Sequence, residues 1–359
     1  DILPLDVEDH DNPETVRLKK YATGAHLLLE EDPIETGKTP REVIWTKNKT
    51  RLYRYEPEKE KKHPVPVLLV YALILRPYIL DLIPGNSFIE HLLGEGFDVY
   101  LLDWGVPDDE DKDLSFQHYV LDYLPRAVKK VLRISGAEEL TLLGHCQGGT
   151  LGVTYAALFP DEPLRNLVLL ATPVSFAPDD VGPFKPWTSE KFFDPEPVVE
   201  AFGNVPADLF GRLLGTGGRS TAIDRSDAHA KPARFPRDGF TETFLAASKW
   251  VDDGVPFPGA AFRQWIRDFY RHNRLAKGEF ALRGRRVDLS NIECSLLNLA
   301  GTKDMICPLP QAEATMDLVG SQDKEFLMLD AGHVGLMAGP VARNELWPRI
   351  SGWLGPRSG

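Results

Sequence analysis

Leu140-Thr141-Leu142-Leu143 is an apolar run, Gly144-His145-Cys146-Gln147-Gly148-Gly149 follows it directly, and Thr150-Leu151-Gly152-Val153-Thr154-Tyr155-Ala156 continues from there. Together they read as a strand, a turn too tight for large side chains, and a helix. The turn has the form G-x-S-x-G, the elbow that lifts a nucleophile above a sheet, with cysteine in the serine position. Small residues beside the central one let the backbone take a strained conformation and let the helix pack close to the strand. A thiol so placed lies at a helix N-terminus, which favours the thiolate. A buried structural cysteine is the plain alternative, and the strand before and helix after weigh against it.

Strands and helices alternate on either side of this stretch. Val65 to Tyr71 is a near-continuous apolar run, as a buried parallel strand requires. A helical pattern runs from Ser87 to Leu93, and a strand from Asp98 to Leu102 ends in Asp103-Trp104-Gly105. Phe116 to Ile134 has helical spacing, with Leu121, Leu124, Val128, Val131 and Leu132 on one side. Leu164 to Ala171 is a further strand. Upstream, Pro13 to Leu29 reads as a leading helix, Pro33 to Pro40 as a turn, Arg51 to Tyr55 as a strand, and Glu56 to Lys62 as a hairpin tip. From Val174 to about Asp288 the chain is rich in Pro, Gly and aromatics and shows no β-α repeat. The alternation resumes with a strand at Ser295 to Ala300, a helix near Gln311 to Leu318, a strand at Glu325 to Leu329 and a helix from Arg343 to Leu354. The expected fold is α/β: a mostly parallel sheet flanked by helices, with residues 1–173 and 289–359 as core. Residues 174–288 are expected to form an inserted cap, or lid, over the carboxyl ends of the strands, where such sheets bind ligands.

A chain of 359 residues, 43% hydrophobic and 26% charged, suits an α/β core with an insertion. Its formal charge of −12 argues against a nucleic-acid partner. No run approaches the roughly 18 apolar residues of a spanning helix. Cys146, Cys294 and Cys307 form no disulfide framework and no secretory leader is visible, so a cytoplasmic location is expected. No metal-ligand cluster and no phosphate-binding glycine loop is visible, so neither metal nor cofactor is expected.

A thiol nucleophile needs a base, and the base an orienting group. In α/β hydrolases these follow the elbow in the order nucleophile, acid, histidine, on loops after late strands. Asp304 lies after the Ser295 strand and His333 after the Glu325 strand. Each alone reads as an ordinary loop residue; the order of all three points to Cys146, Asp304 and His333 as the catalytic set. His145 is expected to pack, its side chain pointing away from that of Cys146. The oxyanion hole is expected to use the backbone N–H of Gln147 and one from the loop after the Val65 strand, at Leu73 or Ile74.

These residues resemble those of the polyhydroxyalkanoate synthases, class III most closely, over nearly the whole chain. The resemblance is carried by the G-x-C-x-G-G elbow, Val70-Tyr71-Ala72-Leu73 with Arg76-Pro77-Tyr78 and Asp81, and Asp103-Trp104-Gly105 with Pro107. Lys249-Trp250, Phe262-Arg263-Gln264, Phe269-Tyr270 and Asn273 continue it, as do Val287-Asp288-Leu289 and the Gly-His-Val-Gly around His333. It implies an acyltransferase, a polyester synthase that polymerises (R)-3-hydroxyacyl-CoA with release of CoA. Cys146 would carry the chain as a thioester and His333 would deprotonate it. Asp304 would act through His333 or help activate the 3-hydroxyl. Coenzyme A is then part of the substrate, and Trp250, Tyr270 and Asn273 contact substrate from the cap. The resemblance also implies an accessory subunit, a homodimer formed through the cap, and a place on polyester granules. Two positions depart from the family: Leu75 stands where Asn is usual, and Met305 where His follows the aspartate. A thioesterase or polyester depolymerase of the same fold is the alternative, since only exclusion of water separates hydrolysis from transfer. A third reading is a non-catalytic granule-surface or subunit-binding protein.

Overall fold

The computed structural model describes residues 34–57, 60–209 and 240–359. The expected leading helix, Pro13 to Leu29, lies outside them. Among the described residues the main sheet has eight strands: β1 (Arg41–Lys47), β2 (Thr50–Tyr55), β3 (Val67–Val70), β4 (Val99–Asp103), β5 (Leu140–His145), β6 (Leu164–Leu170), β7 (Ser295–Gly301) and β8 (Lys324–Leu329). Their spatial order is β1-β2-β4-β3-β5-β6-β7-β8. From β4 onward all neighbours run parallel, while β2 is antiparallel to both β1 and β4. The central strands Val67-Leu68-Leu69-Val70 and Leu140-Thr141-Leu142-Leu143 are buried on both faces, which is why they read as continuous apolar runs rather than alternating ones.

One expectation is corrected. The hairpin turn lies at Asn48-Lys49, between β1 and β2, and not at Glu56 to Lys62. The chain after β2 crosses to β3 with β4 between them, so those residues form a crossover. Asn48 takes the turn at φ 52°, a left-handed conformation that asparagine tolerates. The charged stretch after β2 shows only that this segment is solvated; which strands pair depends on the whole sheet.

Helices cover both faces. On one side α1 (Phe88–Glu95) and the C-terminal helix bury Phe88, Ile89, Leu92, Trp347, Ile350 and Leu354 against the sheet. Ser87 caps α1, its hydroxyl accepting the Glu90 N–H, and Gly96 ends it in the left-handed conformation. On the other side lie α2 (Leu124–Ser135), preceded by a π-helical turn at Tyr119–Tyr123, and α3 (Gln147–Leu158). Every residue of α3 is buried, so it is the central helix of the molecule.

Between β6 and β7 the chain leaves the sheet. It forms a 3-10 stretch (Gly182–Thr188) and the helices α4 (Glu196–Phe202), α5 (Phe240–Asp252) and α6 (Gly259–Gln264), then a π-helical stretch (Trp265–Arg271). This segment packs through aromatic rings and is tied to the loop after β3: the Val255 N–H donates to Ile74 O at 2.9 Å, and Leu75 bridges Gly254.

Candidate active site

Cys146 occupies the junction of β5 and α3 with φ 53° and ψ −127°, a backbone conformation that costs energy and persists only where its surroundings hold it. The glycines around it are required by space. A Cβ on Gly144 would lie 2.4 Å from Gly149 Cα, and one on Gly148 would lie 2.2 Å from Val70 O. The strand and helix therefore meet with no room for side chains, which raises Cys146 above the sheet.

Asp304 and His333 arrive on the loops after β7 and β8. His333 Nδ1 and Asp304 Oδ2 are 2.7 Å apart, and the same imidazole lies near enough to the Cys146 sulfur to interact with it electrostatically. The other carboxylate oxygen accepts the backbone N–H groups of Ile306 and Cys307, both at 2.8 Å, so the loop closes on Asp304 and fixes its orientation. Burial works against a charged His333, but the Asp304 carboxylate and then the Cys146 sulfur outweigh it, and the imidazolium is held well above its ordinary pKa. The structure thus brings together the three residues that the spacing singled out.

His145 is buried, as expected, but it does not pack in isolation. Its ring stacks on Tyr71 with centroids 5.1 Å apart and meets the His333 ring at 5.0 Å. Burial, and then His333, pull its pKa well below the ordinary value, so it stays neutral beneath the charged imidazole. Neither ring nitrogen has a hydrogen-bond partner.

The three thiols are held differently. Burial pushes Cys294 up to about 11. Cys307 is also pushed up, by burial first and then by Asp304 and Cys146. Cys307 therefore stays a thiol close to Cys146, a placement that sequence reasoning missed. The available signal was its position three residues after Asp304, in the loop whose backbone wraps the carboxylate.

Of the expected oxyanion donors, Gln147 starts α3, and the Leu73 N–H donates to the Gln147 side chain (Oε1, 3.3 Å). A substrate oxygen bound there would displace this amide. Ile74 lies in the same loop, its carbonyl taken by Val255. The three residues expected to contact substrate from the cap have different surroundings. Trp250 donates its indole N–H to Arg76 O at 2.7 Å. Asn273, at φ 49°, accepts the Phe176 N–H at 2.8 Å and donates to Ser175 Oγ at 3.3 Å. The polar groups of these two residues are thus engaged within the protein. Tyr270 is surrounded by the rings of Phe176, Phe184, Trp187 and Trp265 at 5.0, 5.9, 5.1 and 6.1 Å. Burial, and then Cys146 and Cys307, raise its pKa well above the ordinary value, so it stands near the thiols as a neutral phenol. Among the described residues no group of His, Cys, Asp and Glu is arranged to hold a metal, and no helix is long and apolar enough to cross a membrane.

With this geometry in hand, comparison with known proteins gives consistent results. The chain matches the family described as the alpha/beta hydrolase fold over residues 65–340. It matches the poly-beta-hydroxybutyrate polymerase (PhaC) N-terminus over residues 33–92. It is 35% identical to the poly(3-hydroxyalkanoate) polymerase subunit PhaC of Allochromatium vinosum, covering 94% of this chain and 95% of that protein. The subunit of the same name from Haloferax mediterranei is 39% identical over 90% of this chain, which spans 65% of its length. Among solved structures, a monoacylglycerol lipase from Paleococcus ferrophilus aligns with a TM-score of 0.52 at 21% identity, over 86% of this chain and 99% of that one. An esterase from Thermogutta terrifontis aligns with a TM-score of 0.52 at 18% identity, over 89% and 100% of the two chains. The structural likenesses speak to the fold alone. On the sequence relationships, the chain belongs to the PhaC family of poly(3-hydroxyalkanoate) polymerases, enzymes of acyltransferase type on an α/β hydrolase fold.

Proposed function

We propose that this chain polymerises (R)-3-hydroxyacyl-CoA to polyhydroxyalkanoate with release of CoA, through a thioester on Cys146. The observation that carries the reading is the continuous line from Asp304 through His333 to Cys146 at a strained elbow, within a chain of this family. His333 takes the thiol proton, and the Cys146 sulfur attacks the thioester carbonyl carbon. The oxygen carries the negative charge until the C–S bond to CoA breaks. CoA leaves with the proton from His333, and the acyl group stays on Cys146. The 3-hydroxyl of the other acyl unit then attacks that carbonyl, His333 accepting its proton, and the ester bond forms as the sulfur is released. Asp304 holds Nδ1 throughout, so the imidazole keeps its orientation as its charge changes. Backbone N–H groups at Gln147 and at Leu73 or Ile74 stabilise the oxyanion, one such donor being typically worth about 3–4 kcal/mol.

The same reading makes residues 174–288 a cap that excludes water, so that the acyl thioester meets a hydroxyl rather than hydrolysing. Tyr270 supports this role, since its phenol lies near Cys146 inside a block of aromatic rings. The function needs no metal or cofactor beyond the CoA of the substrate. An accessory subunit and a position on polyester granules in the cytoplasm complete the proposal; they rest on the family resemblance.

The test is CoA release from (R)-3-hydroxybutyryl-CoA by the chain and by Cys146→Ala, with products weighed by mass spectrometry and an accessory subunit present in a parallel arm. Growing oligoester with stoichiometric CoA, absent in the variant, is the expected result. Free hydroxy acid alone would turn the reading to a thioesterase. No release in either arm would overturn it.

A further inference from the structure

The loop after β3 is tied down almost peptide by peptide. A peptide unit is planar, so a bond to either its N–H or its carbonyl fixes the whole unit. The Tyr71 carbonyl accepts the Trp104 indole N–H at 2.9 Å, which holds the unit between Tyr71 and Ala72. The Leu73 N–H donates to Gln147 Oε1 at 3.3 Å, which holds the next. The Ile74 carbonyl accepts the Val255 N–H at 2.9 Å, which holds the unit between Ile74 and Leu75. The Leu73–Ile74 unit lies between these last two anchors, and among the described residues no acceptor takes its N–H, that of Ile74.

This loop adjoins the elbow: a Cβ on Gly148 would lie 2.6 Å from Tyr71 O. Leu73 and Gln147 are both buried, at 3% and 2% exposure, whereas Ile74 is only partly buried. A Leu73 N–H serving as oxyanion donor would have to give up its bond at every turnover, leaving the oxygen of a buried amide unpaired. The Ile74 N–H carries no such cost, because it has no bond to break.

We propose that the Gln147 side chain is a positioning residue for acyl transfer. By holding the Leu73 N–H it sets the plane of one peptide, and Val255 sets the plane two peptides further on. The N–H between them, at Ile74, is left oriented for the oxygen of the tetrahedral intermediate. Gln147 thus serves that oxygen twice: its backbone N–H at the start of α3 is one donor, and its side chain braces the other. A donor whose direction is fixed beforehand needs no reorganisation when the charge develops. Val255 belongs to the segment inserted between β6 and β7, so that segment completes the brace from outside the sheet. The proposal rests on the reading that Cys146 is acylated, but not on which acyl donor supplies the group.

Gln147→Met and Gln147→Leu test this, since each keeps the backbone N–H and offers Leu73 no amide oxygen. Single-turnover acylation of Cys146 in the full chain is followed with (R)-3-hydroxybutyryl-CoA and, in a second arm, with p-nitrophenyl butyrate. Alkylation by iodoacetamide is the control, and peptide mass mapping places each label on Cys146. Acylation passes through an oxyanion, while alkylation displaces iodide at a methylene carbon and forms none. Both variants should lose about 10- to 100-fold in maximal acylation rate, with the half-saturating concentration little changed. Both should alkylate at close to the wild-type rate, which a disturbed elbow would not allow. Equal loss of the two rates in both variants would make Gln147 a packing residue and overturn the proposal, as would acylation at the wild-type rate. A wild-type chain acylated by the ester and not by the CoA thioester would sink the polymerase reading alone, the Gln147 contrast still being read in the ester arm. A chain acylated by neither would overturn both.

Discussion

Around Cys146 the contacts are few, polar and short: 2.7 Å from His333 to Asp304, and 2.8 Å from each of two backbone amides to the carboxylate. Around Tyr270 they are several, aromatic and longer, with four rings at 5.0 to 6.1 Å. The two regions adjoin, and burial raises the cost of error in both. In the first, a misplaced atom leaves a buried charge or donor unpaired; in the second, it opens a cavity. The polar site therefore depends on orientation, and the aromatic block on volume.

Substitutions can break this contrast, and the largest effect should come at the nucleophile. Cys146→Ala should reduce CoA release by about 10⁴-fold or more while leaving the melting temperature close to wild type, since removing a nucleophile eliminates the covalent route. Asp304→Asn keeps the shape but loses the charge that orients and stabilises His333. About 10³- to 10⁴-fold loss in turnover is expected, with little change in substrate binding, read as kcat against KM. Trp265→Ala, in the aromatic block, should instead lower the stability by about 3–5 kcal/mol in urea unfolding, and turnover per folded molecule should fall far less than in either site variant. If Trp265→Ala removed activity at constant stability, the division between the two regions would fail.

Two smaller effects sharpen it. The pKa of His333 is raised above its ordinary value near 6.5 despite burial, because Asp304 and then Cys146 favour the charged form. A raised folded-state value contributes stability that is complete below about pH 6.5 and is lost as the pH climbs through the folded-state value. The stability gap between wild type and Asp304→Asn should therefore narrow from pH 6 toward alkaline pH, measured by chemical unfolding at each pH. The smallest change is expected for His145→Phe. It removes two buried nitrogens that have no partner and keeps a ring against Tyr71 and His333, so stability should stay level or rise by about 1 kcal/mol. A large loss of turnover there would mean that His145 does more than pack.

The elbow was legible because its meaning is local. Gly144, Gly148 and Gly149 stand where no Cβ fits, and the strand before and helix after carry their own periods. The order of Cys146, Asp304 and His333 was legible because each follows a strand whose apolar run stands out. The pairing of β1 with β2 was not, since the charged Glu56 to Lys62 looks the same as a hairpin tip or a crossover. Cys307 was passed over for a similar reason: its proximity to Cys146 depends on how a loop folds around the Asp304 carboxylate, which spacing does not express. The engaged indole N–H of Trp250 and side-chain amide of Asn273 belong to the same class.

The sequence by itself determined a mostly parallel sheet with a glycine-flanked strand–turn–helix elbow at Cys146 and a long non-repeating insertion after β6, because backbone sterics and side-chain periodicity act over a few residues. Tertiary structure decided which groups meet at the site and in which order the strands pair. The bond of His333 to Asp304, the stack of His145 on Tyr71 and the place of β4 between β2 and β3 join residues far apart in the chain, and only the complete packing settles such contacts.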